Sequence, residues 1–254
     1  MPTLSDSPRY YDLAFSYRDY DAEVEVMRAC AERFGLGAPR RVLEICCGQA
    51  PHLAAWHGSG ARYTGVDLSR TMLDMARENA GRLHAEATFV EADLAAFKLP
   101  KPVDFACVLL ASLYARDTAH LQTHYDAVAR ALAPGGLYFM EWTVDFDPMV
   151  DVVDMWEVER DGVRIQASYW TRCINRVEQI YEDTLHLDIQ ENGEHRELED
   201  TAIRRRVFPQ EFLAFIAAHP HFEFVGWWNE WDLNQPIDGT TPVNRPVIVV
   251  RRIP

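Results

Sequence analysis

The stretch from Arg41 to Leu53, RVLEICCGQAPHL, holds residue types that allow a backbone to approach a ligand closely. Val42, Leu43 and Ile45 predict a short buried parallel strand, and the small residues after them predict a tight turn. Pro51 suits the first position of a helix, where an N–H has no intrahelical partner. A strand, a small-residue turn and a helix in this order indicate a ligand-binding crossover.

Two carboxylates accompany this crossover. Asp67 ends the next predicted strand, 23 residues after Glu44. An acid about 20 residues along is where a nucleotide-binding fold meets ribose hydroxyls, although Asp67 could instead cap a helix. Glu44 lies within an apolar strand, where an unpaired carboxylate is costly. We therefore expect Glu44 to be paired, either with loop N–H groups or, through water, with the amino group of a cofactor.

Alternating strands and helices must position these residues. Strands are predicted at 42–45, 65–68, 88–90, 103–109 and 137–142, and helices at 21–34, 69–79 and 117–132. Ser69 and Asp117 are expected to cap their helices, and Gly81 is expected to close the first of these two. This alternation implies right-handed crossovers and a parallel sheet that is covered on both faces.

The pattern changes to polar–apolar alternation between about 155 and 207. The pairs Asp161-Gly162 and Asn192-Gly193 are strong hairpin signals. Antiparallel strands are therefore expected at 156–160, 163–172, 176–189 and 194–207. A helix is predicted from Pro209 to about Ala218, and two last strands, at 222–232 and 246–252, are expected to run antiparallel to the rest.

Composition excludes several classes of protein. The 254 residues are 48% hydrophobic, which suits one large domain or one domain with an insertion. A net charge of −14 opposes nucleic-acid binding. The run Arg204–Arg206 is expected to be a solvated face or a local ion-pair partner. Five cysteines argue against a disulfide framework, and the adjacent Cys46 and Cys47 suit no metal site. With no signal peptide and no 18-residue apolar stretch, we expect a cytoplasmic protein without a membrane partner.

Five ordered motifs carry a family resemblance. They read VLEICCGQAPH, GVDLSRTML, FVEADL, DFACVLLASLY and LAPGGLYFMEW, and over roughly residues 40–142 they resemble class I S-adenosylmethionine-dependent methyltransferases. The resemblance implies an α/β fold with a doubly wound, mostly parallel, seven-stranded Rossmann-like sheet and an antiparallel β insertion after the fifth strand. The family's loop glycines are replaced by Cys46 and Ala50, whose Cβ atoms disfavour a positive φ, and Gly48 alone remains.

The same resemblance divides the chain into four parts. Residues 1–37 form an N-terminal helical and aromatic segment, which either folds over the site as a lid or packs on the domain. Residues 38–150 form the cofactor-binding core. Residues 151–207 are the β insertion, which covers the substrate or makes a homodimer contact, and residues 208–254 complete the core. The segments YDLAFSYRDY and RRVFPQEFLAFI are similar to those of amino-sugar N,N-dimethyltransferases and glycine N-methyltransferase-like enzymes.

The resemblance also assigns a methyl donor, S-adenosylmethionine, with S-adenosylhomocysteine as the product. Asp67 would accept hydrogen bonds from both ribose hydroxyls, and Asp93 would accept one from the adenine amino group or else cap a helix. Met72 would flank the adenine or else belong to the core. The residues implied for cofactor binding are Glu44, Cys46, Gly48, Asp67, Leu68, Met72, Asp93, Leu94, Leu110 and Ser112.

A cluster of aromatic and acidic residues is expected to form the acceptor site. Such a site favours an amine or another cation, although the same aromatics could be core residues. The residues expected to bind the substrate are Tyr11, Tyr114, Trp142, Trp170 and Trp228. Tyr17 and Glu141 are the candidate catalytic residues, since a base assists ammonium or hydroxyl acceptors.

Three functional hypotheses follow. The first is methyl transfer to a small molecule, with an amine nitrogen preferred and an oxygen or carboxylate acceptor next. The second is a dinucleotide-dependent dehydrogenase, which is disfavoured because a GxGxxG motif is absent. The third is a non-catalytic binding protein with the same fold, which the replacements at Cys46 and Ala50 make plausible.

Overall fold

The computed structural model describes residues 7–147 and 153–254, so the expected domain boundary at 150/151 lies outside the described residues. The helices are α1 (Pro8–Ala14), α2 (Tyr20–Phe34), α3 (Leu53–Gly58), α4 (Arg70–Leu83), α5 (Thr118–Ala131) and α6 (Pro209–Ala218). The strands are β1 (Arg41–Ile45), β2 (Arg62–Asp67), β3 (Ala87–Glu91), β4 (Val103–Val108), β5 (Leu132–Glu141), β6 (Val153–Arg160), β7 (Val163–Asn175), β8 (Ile180–Glu191), β9 (Glu194–Arg205), β10 (Phe222–Trp228) and β11 (Val247–Arg252). None of the described helices is long and apolar enough to cross a lipid bilayer.

The main sheet has seven strands in the order β10-β11-β5-β4-β1-β2-β3. Strands β3, β2, β1, β4 and β5 are parallel, and β11 is antiparallel to both β5 and β10. The predicted fold class is confirmed. The last two strands were both expected to run antiparallel to the rest. This prediction is correct for β11 and wrong for β10, because β10 is antiparallel to β11 and so runs in the same direction as the parallel strands.

Burial on both faces explains the apolar run in β1. Leu43 and Ile45 belong to one core cluster, and Val42 belongs to the cluster on the opposite face of the sheet. Only a strand covered by helices on both sides needs apolar residues at consecutive positions. The carboxyl end of β1 is therefore held rigidly, and it points into the loop that contains Cys46.

The inserted sheet has the order β6-β7-β8-β9, with every pairing antiparallel. Both predicted hairpin turns form, with positive φ at Asp161, Gly162, Asn192 and Gly193, as two-residue turns between twisted strands require. One face of this sheet packs on α1 through a core cluster. Helix α1 therefore lies between the insertion and the carboxyl end of the main sheet.

Several predicted boundaries are wrong by a few residues. Helix α3 begins at Leu53, so Pro51 precedes it by two positions and occupies the turn. Helix α4 continues to Leu83 and ends at His84 in the left-handed conformation, which leaves Gly81 within the helix. Strand β5 begins at Leu132, before the predicted start at 137. These differences are confined to the ends of elements, which local sequence signals determine least well.

Candidate active site

The loop after β1 has the backbone path of a glycine-rich loop despite its side chains. Cys46, Gly48 and Ala50 all have positive φ, at 56°, 52° and 60°. An L-residue with a Cβ costs roughly 1–2 kcal/mol in this conformation, so Cys46 and Ala50 store strain. Apart from Gly48 and its two chain neighbours, no atom of the described residues lies within 4 Å of the position that a Cβ on Gly48 would occupy. The loop is thus open on one side, as a ligand cradle requires.

Asp67 connects this loop to the start of α4. One carboxylate oxygen accepts the Gly48 N–H at 2.8 Å, and the other accepts the Ser69 N–H at 2.8 Å. The helix itself is capped by the Ser69 hydroxyl, which accepts the Met72 N–H, so capping is not the role of Asp67. Burial raises the pKa of the Asp67 carboxyl, against the lowering effect of its N–H donors. Each oxygen keeps a lone pair that could accept a ribose hydroxyl.

The expected adenine side combines one exposed and two buried apolar residues. Leu68 is 71% exposed, whereas Met72 and Leu94 are buried. Asp93 accepts the Ala95 N–H at 2.8 Å and pairs with His120 Nε2 at 2.8 Å, so it stabilises a turn and caps no helix. Although burial opposes it, these two partners lower the pKa of Asp93. His120 was missed by the sequence analysis, since no local signal links it to Asp93.

Buried ionisable groups support the loop from below. Glu44 binds His52 Nδ1 at 2.9 Å and the Tyr63 hydroxyl at 2.7 Å, and His52 Nε2 binds Glu23 at 2.8 Å. The structure thus gives Glu44 two side-chain partners in place of the expected loop N–H groups, and its contact with a cofactor stays a prediction. Burial alone would lower the pKa of His52, but Glu44 and Glu23 raise it to about 9.

Glu141 is the centre of a second part of this network. Its side chain is fully buried, and one oxygen accepts from the Arg245 guanidinium at 2.7 Å and from Trp231 Nε1 at 2.8 Å. The other oxygen accepts the Leu110 N–H at 2.8 Å and lies 3.4 Å from Arg18. With both oxygens occupied, Glu141 fits a positioning residue that holds the end of β4 better than it fits a base.

Two adjoining cavities lie at the carboxyl end of the sheet. The smaller, about 50 Å³, is over the loop and is lined by Glu44, Cys46, Gly48 and Ser112 among others. The larger, about 260 Å³, lies between α1, the ends of β4 and β5 and the inserted sheet. Both cavities are lined by Tyr11, Phe15 and Leu110. The larger cavity is further lined by Tyr17, Ala111, Tyr114, Trp142, Asp145, Asp154, Trp156, Tyr169, Leu185, Arg204 and Arg206.

Two of the five expected substrate residues do not line either cavity. Trp170 follows Tyr169 in β7, and because side chains alternate along a strand, Tyr169 faces the larger cavity and Trp170 faces away from it. Trp228 is 6% exposed and packs on the ring of Phe34, with centroids 5.1 Å apart, in the core. Tyr11, Tyr114 and Trp142 do line the larger cavity, as does Tyr17.

The arginine run at the end of β9 is the main feature that the sequence analysis missed. Arg204 and Arg206 are 7% and 3% exposed and line the larger cavity, so a solvated face is wrong for these two. They pair with Asp183 at 2.9 Å and with Asp145 at 3.3 Å, as expected of local ion pairs. Arg205 points the other way and pairs with Glu211. The period-2 spacing of Arg204 and Arg206 was the available signal, because it places both on one face.

The fold and the loop after β1 can be compared with known proteins. A seven-stranded Rossmann-like sheet with an antiparallel insertion after β5 and an open loop after β1 is the architecture that the resemblance implied. Residues 42–136 match the family described as "Methyltransferase domain". Residues 42–136 are thus similar to a methyltransferase domain, in agreement with the resemblance to class I S-adenosylmethionine-dependent methyltransferases.

Individual known proteins are similar over different shares of the chain. A dTDP-4-amino-2,3,4,6-tetradeoxy-D-glucose N,N-dimethyltransferase of Saccharopolyspora spinosa is 30% identical over 164 residues, or 63% of this chain and 64% of that protein. A trans-aconitate 2-methyltransferase of Paracidovorax citrulli is 37% identical over 107 residues, or 41% and 39%. The chain thus spans less than two thirds of the length of these curated relatives. The sugar N-methyltransferase KedS8 from a Streptoalloteichus species shares the fold, with a TM-score of 0.71, 24% identity and coverage of 96% and 93%.

Proposed function

We propose that the protein transfers a methyl group from S-adenosylmethionine to the nitrogen of a small-molecule amine. The observation that carries the proposal is the pair of adjoining cavities with Leu110 in the wall of both. One cavity lies over the strained loop, and the other lies between α1 and the inserted sheet. A donor in the first and an acceptor in the second would meet at the end of β4, where open α/β sheets bind their ligands.

The residues of the smaller cavity suit the donor. Gly48 leaves open space beside the loop, and Cys46 lines the cavity. Next to the loop, Asp67 presents two oxygens, each already oriented by one backbone N–H. Leu68, Met72, Asp93 and Leu94 would form the adenine side. The bound donor supplies an electrophilic methyl group on a sulfonium, so the chain needs no nucleophile of its own.

The task left to the protein is alignment. A bound ammonium group would first lose one proton to solvent. The freed amine lone pair would then attack the methyl carbon, and the carbon–sulfur bond would break with its electron pair remaining on sulfur, which gives a methylated ammonium product. Orientation alone can supply roughly 7–11 kcal/mol of barrier reduction. Glu141 holds the Leu110 N–H and so positions the end of β4. Tyr17 lines the larger cavity, and its phenol, which is neutral near pH 7, can orient the acceptor by a hydrogen bond.

The lining of the larger cavity supports an amine acceptor. Tyr11, Trp142 and Trp156 are among the aromatic residues that line it, and Asp145 and Asp154 add carboxylates. These groups attract a protonated amine through cation–π and charge interactions. The names of two similar proteins, an amino-sugar N,N-dimethyltransferase and a sugar N-methyltransferase, agree with nitrogen as the acceptor atom.

Methylation of an oxygen or a carboxylate is the second candidate. Arg204 and Arg206 line the same cavity, and a guanidinium suits a carboxylate substrate. The similarity to a trans-aconitate 2-methyltransferase favours the same candidate. The two candidates differ in the acceptor atom and share the donor site.

Calorimetry followed by a turnover assay tests the proposal. We expect the protein to bind S-adenosylmethionine and S-adenosylhomocysteine and to leave NAD unbound. A panel of small amines, alcohols and carboxylates should then release S-adenosylhomocysteine with amines in preference. Preference for carboxylates would favour the second candidate, and binding of NAD alone or of none of the three would contradict the assignment.

A further inference from the structure

Arg206 is a buried cation with an unsatisfied donor in the wall of the larger cavity. Its side chain is 2% exposed, and its buried Nε has no hydrogen-bond partner among the described residues. Asp145 lies 3.3 Å from that Nε, close enough for charge attraction but outside hydrogen-bond geometry. The guanidinium also lies over the Tyr181 ring, 3.9 Å from its centroid, which fixes its plane. A buried charge held this way is costly unless another group pairs with it.

The neighbouring Arg204 has a counter-ion that is more deeply buried than that of Arg206. Its Nε, which like that of Arg206 has no hydrogen-bond partner among the described residues, lies 2.9 Å from Asp183, a carboxylate that is only 2% exposed. Arg204 also donates from Nη1 to the Trp142 carbonyl at 3.3 Å. Arg204 is therefore neutralised by an acid buried as deeply as itself. Asp145, the counter-ion of Arg206, is 25% exposed and faces the cavity. Burial raises the pKa of Asp145, against the lowering effect of both arginines.

The larger cavity therefore contains groups that attract a positive charge and a group that attracts a negative charge. Asp154 and the aromatic rings suit the positive end of a ligand, and Arg206 suits a negative one. A planar guanidinium recognises carboxylate and phosphate oxygens in the same way, by parallel N–H···O bonds. A volume of about 260 Å³ is enough for a small metabolite that carries both groups.

From these contacts, and resting on the proposed function, we infer that the acceptor is a small molecule that bears both an amine and an anionic group. Arg206 binds the anionic group, a carboxylate or a phosphate monoester. Binding of this group at a fixed point directs the amine toward Leu110 and the donor. Neutral amines of similar size would bind without that anchor and react more slowly.

One series of amino sugars tests this inference. Glucosamine, glucosaminate and glucosamine 6-phosphate differ in carrying no anion, a carboxylate or a phosphate. With wild-type protein saturated with S-adenosylhomocysteine, calorimetry should show at least about tenfold tighter binding of one or both anionic members than of glucosamine. The member that binds more tightly distinguishes carboxylate from phosphate recognition. Equal dissociation constants for all three, or no binding by any, would overturn the inference.

Two variants of adjacent residues provide the matched comparison. Arg206→Gln should reduce the preference for the anionic member to within about twofold, and Arg206→Lys should keep part of it because a cation remains. Arg205→Gln should keep the full preference, since Arg205 pairs with Glu211 and does not line the cavity. An unchanged preference in a folded Arg206→Gln protein would contradict the assignment. Absence of turnover with every amine would instead contradict the proposed function, because calorimetry reads anion binding without catalysis.

Discussion

The Gly48 N–H donates to the Asp67 carboxylate over 2.8 Å and so joins the loop after β1 to the end of β2. This bond lies between neighbouring parallel strands, at the edge of the sheet where ligands bind in α/β folds. It stabilises a loop that contains two residues with unfavourable positive φ. The same carboxylate is the proposed partner of the donor ribose, so one side chain would shape the loop and bind the ligand.

Asp67→Ala should weaken binding of S-adenosylhomocysteine by about 1–3 kcal/mol, the value of a lost charged hydrogen bond. Calorimetry measures the change. Asp74→Ala is the control, because Asp74 is an exposed acid on α4 that pairs with Arg77. Unchanged affinity in Asp67→Ala would remove this residue from the donor site.

Glu141→Gln should lower the free energy of unfolding by about 3 kcal/mol, because Arg245 and Arg18 would face a buried group without charge. Urea unfolding measures the loss. In the control Glu223→Gln, which removes the exposed pair with Arg251, the loss should stay below about 1 kcal/mol. Similar losses in both variants would contradict the importance of the buried network.

The stabilisation from His52 should depend on pH. Its pKa is about 9 in the folded protein, above the usual value of 6.5, so its contribution is complete below pH 6.5 and is lost as the pH rises through 9. The stability difference between wild type and His52→Gln should therefore shrink by up to about 3 kcal/mol over this interval. Denaturant unfolding at several pH values measures it, with His57→Gln, which removes an exposed histidine, as the control.

Tyr169→Ala should lower kcat/KM for the amine acceptor by about tenfold, since it removes a ring from the wall of the larger cavity. Trp170→Ala should change it less than about twofold, because the Trp170 side chain is on the other face of β7. Release of S-adenosylhomocysteine measures both. The reverse order of effects would show that the register of β7 is wrong.

His84→Gly should raise the free energy of unfolding by about 0.5–1 kcal/mol. His84 is exposed and ends α4 with φ of 50°, a conformation that glycine adopts without a Cβ clash. Thermal unfolding measures the gain. His84→Ala, which keeps a Cβ, should give no gain, and equal stabilisation by both variants would exclude backbone strain as the cause.

Local patterns were sufficient for much of the fold. The apolar run of β1, the Ser69 and Asp117 caps and the two Gly-containing hairpin turns were all visible in short segments, because each depends on residues close in sequence. The position of Asp67 at a strand end was predictable for the same reason. Element ends such as those of α4 and β5 were less predictable, since tertiary contacts extend them.

The site's charge arrangement was not predictable in this way. Arg245 and Glu141 are separated by 104 residues, and His120 and Asp93 by 27, so no local pattern pairs them. Which face of β7 meets the cavity depends on its register against β6 and β8, and a shift of one residue exchanges Tyr169 with Trp170.

By itself, then, the sequence determined the order of strands and helices, the crossover loop and the acid beside it, because helix and strand periodicity and turn chemistry act over a few residues. Only the tertiary structure decided which distant ions meet, that Arg204 and Arg206 face inward, and that two cavities adjoin at Leu110. The physical reason is that burial and ion pairing depend on how separate elements pack, and a charge such as Arg206 has no defined partner until β9 is placed against the main sheet.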